Sequence, residues 1–419
     1  MSSPTKKSFL TEDWTVVILG FSIILLAIAG ILLPVPAFSW NNSAELFEKV
    51  LSLENIQKIL VQLVAVLVVA AAGALLLGNS VKAVFTGLPV VYFLTILALI
   101  ITGNSAVKNL NLEAVIFSLI IGLIIGNTIT LPTWLKAALS TELFVKIGLV
   151  LLGTTVIFSD ILKSGSLGLI QALVVVISVW YFAFWISKKM GVDEEMGIML
   201  SSAVSICGVS AAIATSGAIK GDSKKLSYVI SLVLVTAIPM MIFMPYAAKA
   251  MGLSEEVTGA WLGGTIDTTG AVAAAGTLVG DVALKTSTIV KFSQNVLLGV
   301  AAFAISIYWT YTNNPLAKDK DTKPSLGVIW ERFPKFVLGF LAASLLFSFV
   351  ISPDTVSAVK GSLKNFQGLW FALAFTSIGL ETNFADLFNK DSKKPLYVFL
   401  IAQTFNIIIT LAIAYYLFR

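Results

Sequence analysis

Two stretches, Ser201-Ser-Ala-Val-Ser-Ile-Cys-Gly-Val-Ser-Ala-Ala-Ile-Ala214 and Gly263-Gly-Thr-Ile-Asp-Thr-Thr-Gly-Ala-Val-Ala-Ala-Ala-Gly276, decide how this chain is read. Each is a run of small residues with hydroxyls gathered around a central glycine, inside a sequence that is otherwise apolar. Sliding one onto the other by about 62 positions superimposes Gly197 on Gly259, Gly208 on Gly270, and Ala211-Ala212 on Ala273-Ala274. Lipid cannot hydrogen-bond an exposed backbone, so glycine-broken polar backbone at membrane depth survives only where protein or a water-filled cavity surrounds it. A matched pair of such interruptions is the best sequence pointer to a transporter's binding site.

Composition sets the class. Of 419 residues, 57% are hydrophobic and 12% charged, and the mean hydropathy is +0.93; soluble chains carry about 25% charge. Apolar runs of about 20 residues, each long enough for a bilayer core of about 30 Å, recur from end to end. The fold class expected is an all-α polytopic membrane protein whose main partner is the lipid bilayer. The first run, Trp14 to Leu33, lacks a small-residue cleavage site and reads as a retained helix rather than a signal peptide. The formal charge of +5 does not indicate nucleic acid, because the lysines fall in short loops. One cysteine excludes an internal disulfide and a thiolate metal cage. With no histidine, no imidazole ligates a metal or relays a proton. No cofactor is expected beyond a bound coupling Na⁺ or H⁺.

Spans are expected near 14–33, 56–77, 83–102, 114–129, 142–158, 167–186, 226–246, 286–311, 333–351, 366–384 and 396–417, with Pro239 kinking the seventh. Lysine and arginine in short loops favour the cytoplasm. The basic loops are Lys188-Lys189, Lys220 with Lys224-Lys225, the Lys318/Lys320/Lys323/Arg332 linker, and Lys390 with Lys393-Lys394. All four fall inside if each special stretch dips in and returns on its own side. That arrangement gives about 11 transmembrane helices plus two opposed re-entrant helices, with the N-terminus cytoplasmic. Two fully crossing but broken helices are the competing topology. Gly153-Thr-Thr-Val-Ile-Phe-Ser-Asp160 matches Gly379-Leu-Glu-Thr-Asn-Phe-Ala-Asp386 in helices of opposite direction, as inverted repeats require. A weaker Ala-Gly echo suggests halves near 56–187 and 257–418, with 194–250 carrying the first broken helix.

The chemistry follows from these placements. A helix starting at the midplane points unsatisfied N–H groups and a positive dipole end at the cavity. Two such ends make an anion pocket that needs no arginine fork, and the only arginines are Arg332 and Arg419. Ser205, Ser210, Thr265, Thr268 and Thr269 add hydroxyls, with Gly208 and Gly270 allowing close backbone approach. Cys207 beside the glycine is a candidate binding residue of the same set, and reads as a small packing residue rather than a reactive thiol. Helix packing through small residues would explain one such stretch; two matched stretches with clustered hydroxyls point to a site. Asp267 is an intramembrane carboxylate and so a functional candidate, able to bind a coupling cation, carry a proton or hold a lysine. Lys291 is the candidate partner, with Gln294 and Asn295 on its face at i+3 and i+4; the other account of Lys291 is snorkelling to the interface. Lys146 and Glu142 form an i,i+4 structural pair. Thr155 and Glu381, on the matched helices, are candidate coupling-ion residues, while Asp160 and Asp386 read as helix caps.

Ser205-Ile-Cys-Gly208 followed by alanines, Trp261-Leu-Gly-Gly-Thr-Ile266 ending in Ala-Ala-Gly276, and Val290-Lys291 resemble the YeiH family of bacterial inner-membrane proteins. The resemblance covers the chain from about Gly126 onward. It implies a secondary transporter of a small inorganic or sulfonated anion such as sulfate, sulfite or a sulfonate, and a homodimer is common for such folds. Asp267-Thr268 stands where many members carry a histidine–glutamate pair, and Gln294 where an arginine follows the lysine. No Walker-type ATP loop is present, so an ion gradient is the expected drive. The runner-up is a Na⁺/H⁺-type cation antiporter exchanging on Asp267. No paired carboxylate or nucleophile–base pattern supports an enzyme.

Overall fold

The computed structural model describes residues 10–109, 114–313, 327–382 and 393–419. The described residues are helical, without strands. Helices of ten or more residues are α1 (Glu12–Ile28), α2 (Leu53–Leu77), α3 (Val81–Gly103), α4 (Ala114–Thr128), α5 (Thr141–Leu152), α6 (Phe158–Lys189), α7 (Glu194–Ser205), α8 (Val209–Ile219), α9 (Ser223–Ala250), α10 (Glu255–Thr265), α11 (Thr269–Val279), α12 (Asp281–Asn313), α13 (Phe336–Leu345), α14 (Pro353–Glu381) and α15 (Lys394–Phe418). Among the described residues six helices, α2, α3, α6, α9, α12 over Asp281–Trp309, and α15, are long and apolar enough to cross a bilayer. Large apolar side chains on their outer faces, such as Val64 and Val68 on α2 and Ile177, Tyr181 and Trp185 on α6, are exposed. That pattern suits lipid contact.

The chain divides into two compact units, Met1–Ser159 with Lys335–Asn383, and Asp160–Pro334 with Phe384–Arg419. In the first, α14 packs on α4 and α5. Its buried face carries Phe366, Trp370, Phe371 and Phe375, and Trp370 meets Phe144 of α5 with ring centroids 5.5 Å apart. Gly122 and Gly379 let α4 and α14 approach closely: a Cβ on Gly122 would stand 2.8 Å from the Gly379 Cα. Lys146 gathers Glu12 (2.6 Å), Asp13 (3.2 Å) and Glu142 (3.6 Å), so the expected i,i+4 pair is the longest contact of a larger cluster. The single span expected over 142–158 is interrupted: α5 ends at Leu152, a 3₁₀ turn occupies Gly153–Thr155, and α6 begins at Phe158.

The second unit is built from two helical hairpins. Asp193, accepting from the Met196 N–H, caps α7, and Asp222, accepting from the Lys224 and Lys225 N–H groups, caps α9. Between them α7 and α8 fold back on each other. The Asp222 N–H donates to Glu195 at the start of α7, and Lys225 pairs with both Asp193 and Glu195 at 2.6 Å. The second hairpin repeats the plan. Ser254 caps α10, and Glu255 accepts from Val282 N–H (3.2 Å) and Ala283 N–H (3.3 Å) just past the end of α11. Each interrupted stretch thus returns to the end from which it starts. Lys220 closes α8 in the left-handed conformation (φ 53°).

Helix α9 joins one hairpin mouth to the other. Its 28 residues run about 42 Å at 1.5 Å per residue, against hairpin arms of about 17–18 Å, so tips entering from opposite ends meet near the middle. It passes through Pro239 and Pro245 as one helix. Helix α12 runs back, from the second mouth to the first, where the Tyr308 hydroxyl meets Glu194 at 3.4 Å. Small residues let it lie against the second hairpin: a Cβ on Gly259 would stand 2.7 Å from the Ala283 carbonyl oxygen, and one on Gly276 2.7 Å from the Leu284 Cα. The first hairpin packs in an apolar cluster with Val175 and Val179 of α6, Leu232 and Val233 of α9, and Phe399 and Ala402 of α15.

Candidate functional site

The two breaks fall at Ile206-Cys207-Gly208 and Ile266-Asp267-Thr268. Gly208 caps α8 at φ 59°, ψ −111°, a conformation that only glycine adopts freely. A Cβ there would lie 3.1 Å from the Asp267 Cβ and 3.2 Å from the Asp267 carbonyl oxygen. The tips are in contact. The structural match between the hairpins sets Gly208 on Thr268, both N-caps, an offset of 60. The glycine-on-glycine alignment at 62 positions is therefore two residues out of register, because it followed small residues and not the break itself.

At each tip one helix ends and another begins. The carbonyl ends are covered by side chains. Lys291 Nζ, from α12, donates to Ile206 O, Ile266 O and its own helix's Gln294 Oε1, each at 2.8 Å. Gln294 Nε2 donates to Ser205 O (2.8 Å) and Gly264 O (3.3 Å). From α15, Gln403 reaches Thr265 O at 3.0 Å. Asn406 reaches Val204 O (3.1 Å) and Thr265 O (3.2 Å), and is held by Thr410. Gln171 of α6 donates to Ala260 O at 2.8 Å. The bonds from Lys291, Gln294, Gln403 and Asn406 answer orphan acceptors that a helix C-terminus leaves, whereas Gln171 adds a second donor to a carbonyl inside α10.

The amino ends are more open. Gly208 offers α8 no side-chain cap; Ser210 in its first turn is exposed and Val209 half-buried. On α11, Thr268 accepts from the Ala271 N–H at 3.3 Å, and Thr268 and Thr269 are half-buried while Gly270 is buried. Asn295 donates to Thr269 Oγ1 at 3.3 Å. Ser205, Cys207, Gly208, Ser210, Thr265, Asp267, Thr268, Thr269, Gly270, Lys291, Gln294 and Asn295 are thus assembled at or beside one pair of tips.

Three expectations change in detail. Lys291 does not snorkel; it is 1% exposed, with its amine among backbone oxygens. Nor does it clasp the Asp267 carboxylate, since its three hydrogen bonds go to the carbonyls and Gln294. Ser205 Oγ donates to Ser201 O at 2.7 Å, so its proton is turned into its own helix. Asp267 is buried beside Lys291 and Gln403, and its Oδ2 has no hydrogen-bond partner. Cys207 is buried next to Lys291. Thr155 and Glu381 belong to the first unit, where Thr155 Oγ1 donates to Leu152 O (2.9 Å) and Glu381 accepts from Thr141 (2.8 Å). Asp160 lies in the first turn of α6; Asp386 lies outside the described residues.

Sequence reasoning missed Gln171, Gln403 and Asn406. Gln403, Asn406 and Thr410 recur at i, i+3 and i+7 in an apolar helix, the spacing of one buried face. Polar side chains at that spacing within a span were the available signal.

The family described as "Conserved hypothetical protein 698" matches residues 86–399. The chain belongs to that family. Relatives named "UPF0324 membrane protein" are 42% identical over 82% of this chain in Rhodopirellula baltica and 41% identical over 83% in Nitratidesulfovibrio vulgaris. The chain spans 64% and 62% of the length of these two relatives. A further "UPF0324 membrane protein", from Clostridium tetani, is 26% identical over 68% of this chain and is covered over 85% of its own length. The resemblance to the YeiH family carried by the tip motifs is thereby borne out. No solved structure matches.

Proposed function

We propose that this protein is an ion-gradient-driven secondary transporter of a small anion, of the sulfate, sulfite or sulfonate kind, held where the amino ends of α8 and α11 meet. The observation that carries this reading is the contact of the two hairpin tips, Gly208 against Asp267. That contact brings two helix N-termini together about halfway along α9. Such ends bind anions through free N–H groups and the dipole. The carbonyl ends, which would repel an anion, are capped by Lys291, Gln294, Gln403 and Asn406. Lys291 offsets the charge of Asp267, leaving the two amino ends to set the local sign. In this reading the shorter apolar helices bring the crossings to about eleven in an inverted repeat. The protein sits in the bacterial inner membrane with its N-terminus cytoplasmic, alternating access carries the tips from one face to the other, and two copies form a dimer.

Asp267 supports a second reading, a Na⁺/H⁺-type antiporter, because its buried Oδ2 lacks a partner. A thermal-shift panel of sulfate, sulfite, taurine and Na⁺ on wild type and Asp267→Asn separates the two. The anion reading expects stabilisation by at least one anion, approaching about 2.7 kcal/mol at a hundredfold excess over Kd. Stabilisation by Na⁺ alone, lost in Asp267→Asn with every anion inert, refutes it.

A further inference from the structure

Lys291 occupies a position that chemistry normally gives to a metal cation. Its Nζ lies 2.8 Å from each of three oxygens: the Ile206 carbonyl in the first break, the Ile266 carbonyl in the second, and Gln294 Oε1. Three acceptors at that distance match the three protons of an ammonium. Two bonds of 2.8 Å also place the two carbonyl oxygens no more than about 5.6 Å apart. Both belong to helix C-terminal ends, where the dipoles are negative. In transporters with discontinuous helices, unwound carbonyls and half-helix C-terminal ends are the groups that coordinate a driving Na⁺. Here the same groups are assembled, and a covalently attached cation fills them.

We propose that Lys291 is a tethered substitute for a coupling metal ion: its ammonium permanently occupies the carbonyl cradle between the hairpin tips, so the protein needs no Na⁺ there and is not Na⁺-driven. This rests on the transporter reading above but concerns only the identity of the coupling ion. The cradle is closed to exchange because the lysine stem comes from α12 and is buried throughout. Removing the ammonium leaves three oxygens converging on an unfilled site, which a free monovalent cation of similar size then stabilises.

The test compares wild type, Lys291→Ala and Lys291→Met, purified full length in detergent, in choline chloride, NaCl, KCl and methylammonium chloride at constant ionic strength. Wild type is expected to melt at the same temperature in all four. Lys291→Ala is expected to melt lower in choline and to recover saturably with Na⁺, K⁺ or methylammonium. Lys291→Met keeps the bulk of the stem and removes only the charged head, so it guards against a trivial loss of fold and should show the same recovery. A monodisperse Lys291→Met that responds to none of the cations overturns the proposal. So does a wild type that gains stability, or anion uptake into proteoliposomes, from Na⁺ specifically. Wild type without anion uptake, alongside a cation-responsive Lys291→Met, would instead overturn the transporter reading and leave the cradle intact.

Discussion

Replacing Gly208 by alanine tests the contact of the tips directly. Gly208 adopts φ 59° and ψ −111°, where an L side chain is strained at a cost on the order of 1–3 kcal/mol. The new Cβ would also stand 2.6 Å from Val233 Cγ1, 3.1 Å from the Asp267 Cβ and 3.2 Å from the Asp267 carbonyl oxygen. Val233 is buried in the cluster around the first hairpin and cannot swing clear, so overpacking adds roughly 1–3 kcal/mol. The sum, about 2–6 kcal/mol, corresponds to a fall in melting temperature of roughly 5–20 °C for a cooperative unit of about 200 residues. Gly361→Ala is the matched control. It lies inside α14 with nothing within 4 Å of its would-be Cβ, so helix propensity alone should stabilise it by about 0.8–1 kcal/mol. Both variants are scored by thermal unfolding in detergent, with sulfite titrated into each. A Gly208→Ala protein that melts with wild type and keeps its anion response would mean that the tips do not meet, and the proposed site would go with them.

Other perturbations read other parts of the site. Asn406→Leu strips the partner from Val204 O and shares in stripping Thr265 O, and should cost about 1–3 kcal/mol per unsatisfied buried group in thermal or denaturant unfolding; Thr404→Leu on the exposed face of the same helix should stay within about 0.5 kcal/mol. Lys225→Ala removes both ion pairs at the first hairpin mouth, and a loss of about 1 kcal/mol or less that shrinks in high salt is expected from melting curves at two ionic strengths. Hydrogen bonds from the Lys224 and Lys225 N–H groups hold the Asp222 carboxyl below the usual carboxylate range. A depressed folded-state value means its contribution is present near neutral pH and lost as pH falls through that value, so Asp222→Ala should flatten the acid limb of a plot of melting temperature against pH.

Much of the second unit was legible because its signals are local. The small-residue stretches with their hydroxyls announced two broken helices, and the loop lysines favoured a return to the starting side; Glu195 with Asp222 and Glu255 with Val282 close the hairpins accordingly. The exact breaks were harder to find. Ile206 and Ile266 read as ordinary apolar residues, and the glycine match drew the register two residues astray. Helix α14 starts at Pro353 behind the Ser352 cap, well before the span expected from 366. Its first turns carry Asp354, Lys360 and Lys364, so hydropathy discounted them, although a serine cap followed by proline is a helix start. Gln403 and Asn406 escaped notice for the opposite reason: among so many apolar neighbours two amides leave the mean hydropathy of the span high, at 2.1. Their importance emerges only when the facing carbonyl is known.

The two kinds of helix end at the tips are treated unequally, and that inequality favours one sign of substrate. Four side chains from α12 and α15 meet carbonyls around the breaks, and each is a donor: one ammonium and three amides. A protein built to pass a metal cation through this point would leave those oxygens available, since they are the natural ligands. Blocking them with donors removes the cation-binding face, while the starts of α8, exposed at Ser210, and of α11, half-buried at Thr268 and Thr269, leave N–H groups as the polar surface on offer. Asp267 is the one group that opposes an anion there, and its position behind the tip, buried next to Lys291 and Gln403, makes it a countercharge to the lysine. On this argument Asp267→Asn should raise anion affinity at neutral pH by removing a like charge, whereas an exchanging carboxylate would leave the variant inert. Isothermal titration of sulfite into both proteins decides it, and a variant with unchanged or weaker anion affinity would count against the countercharge role.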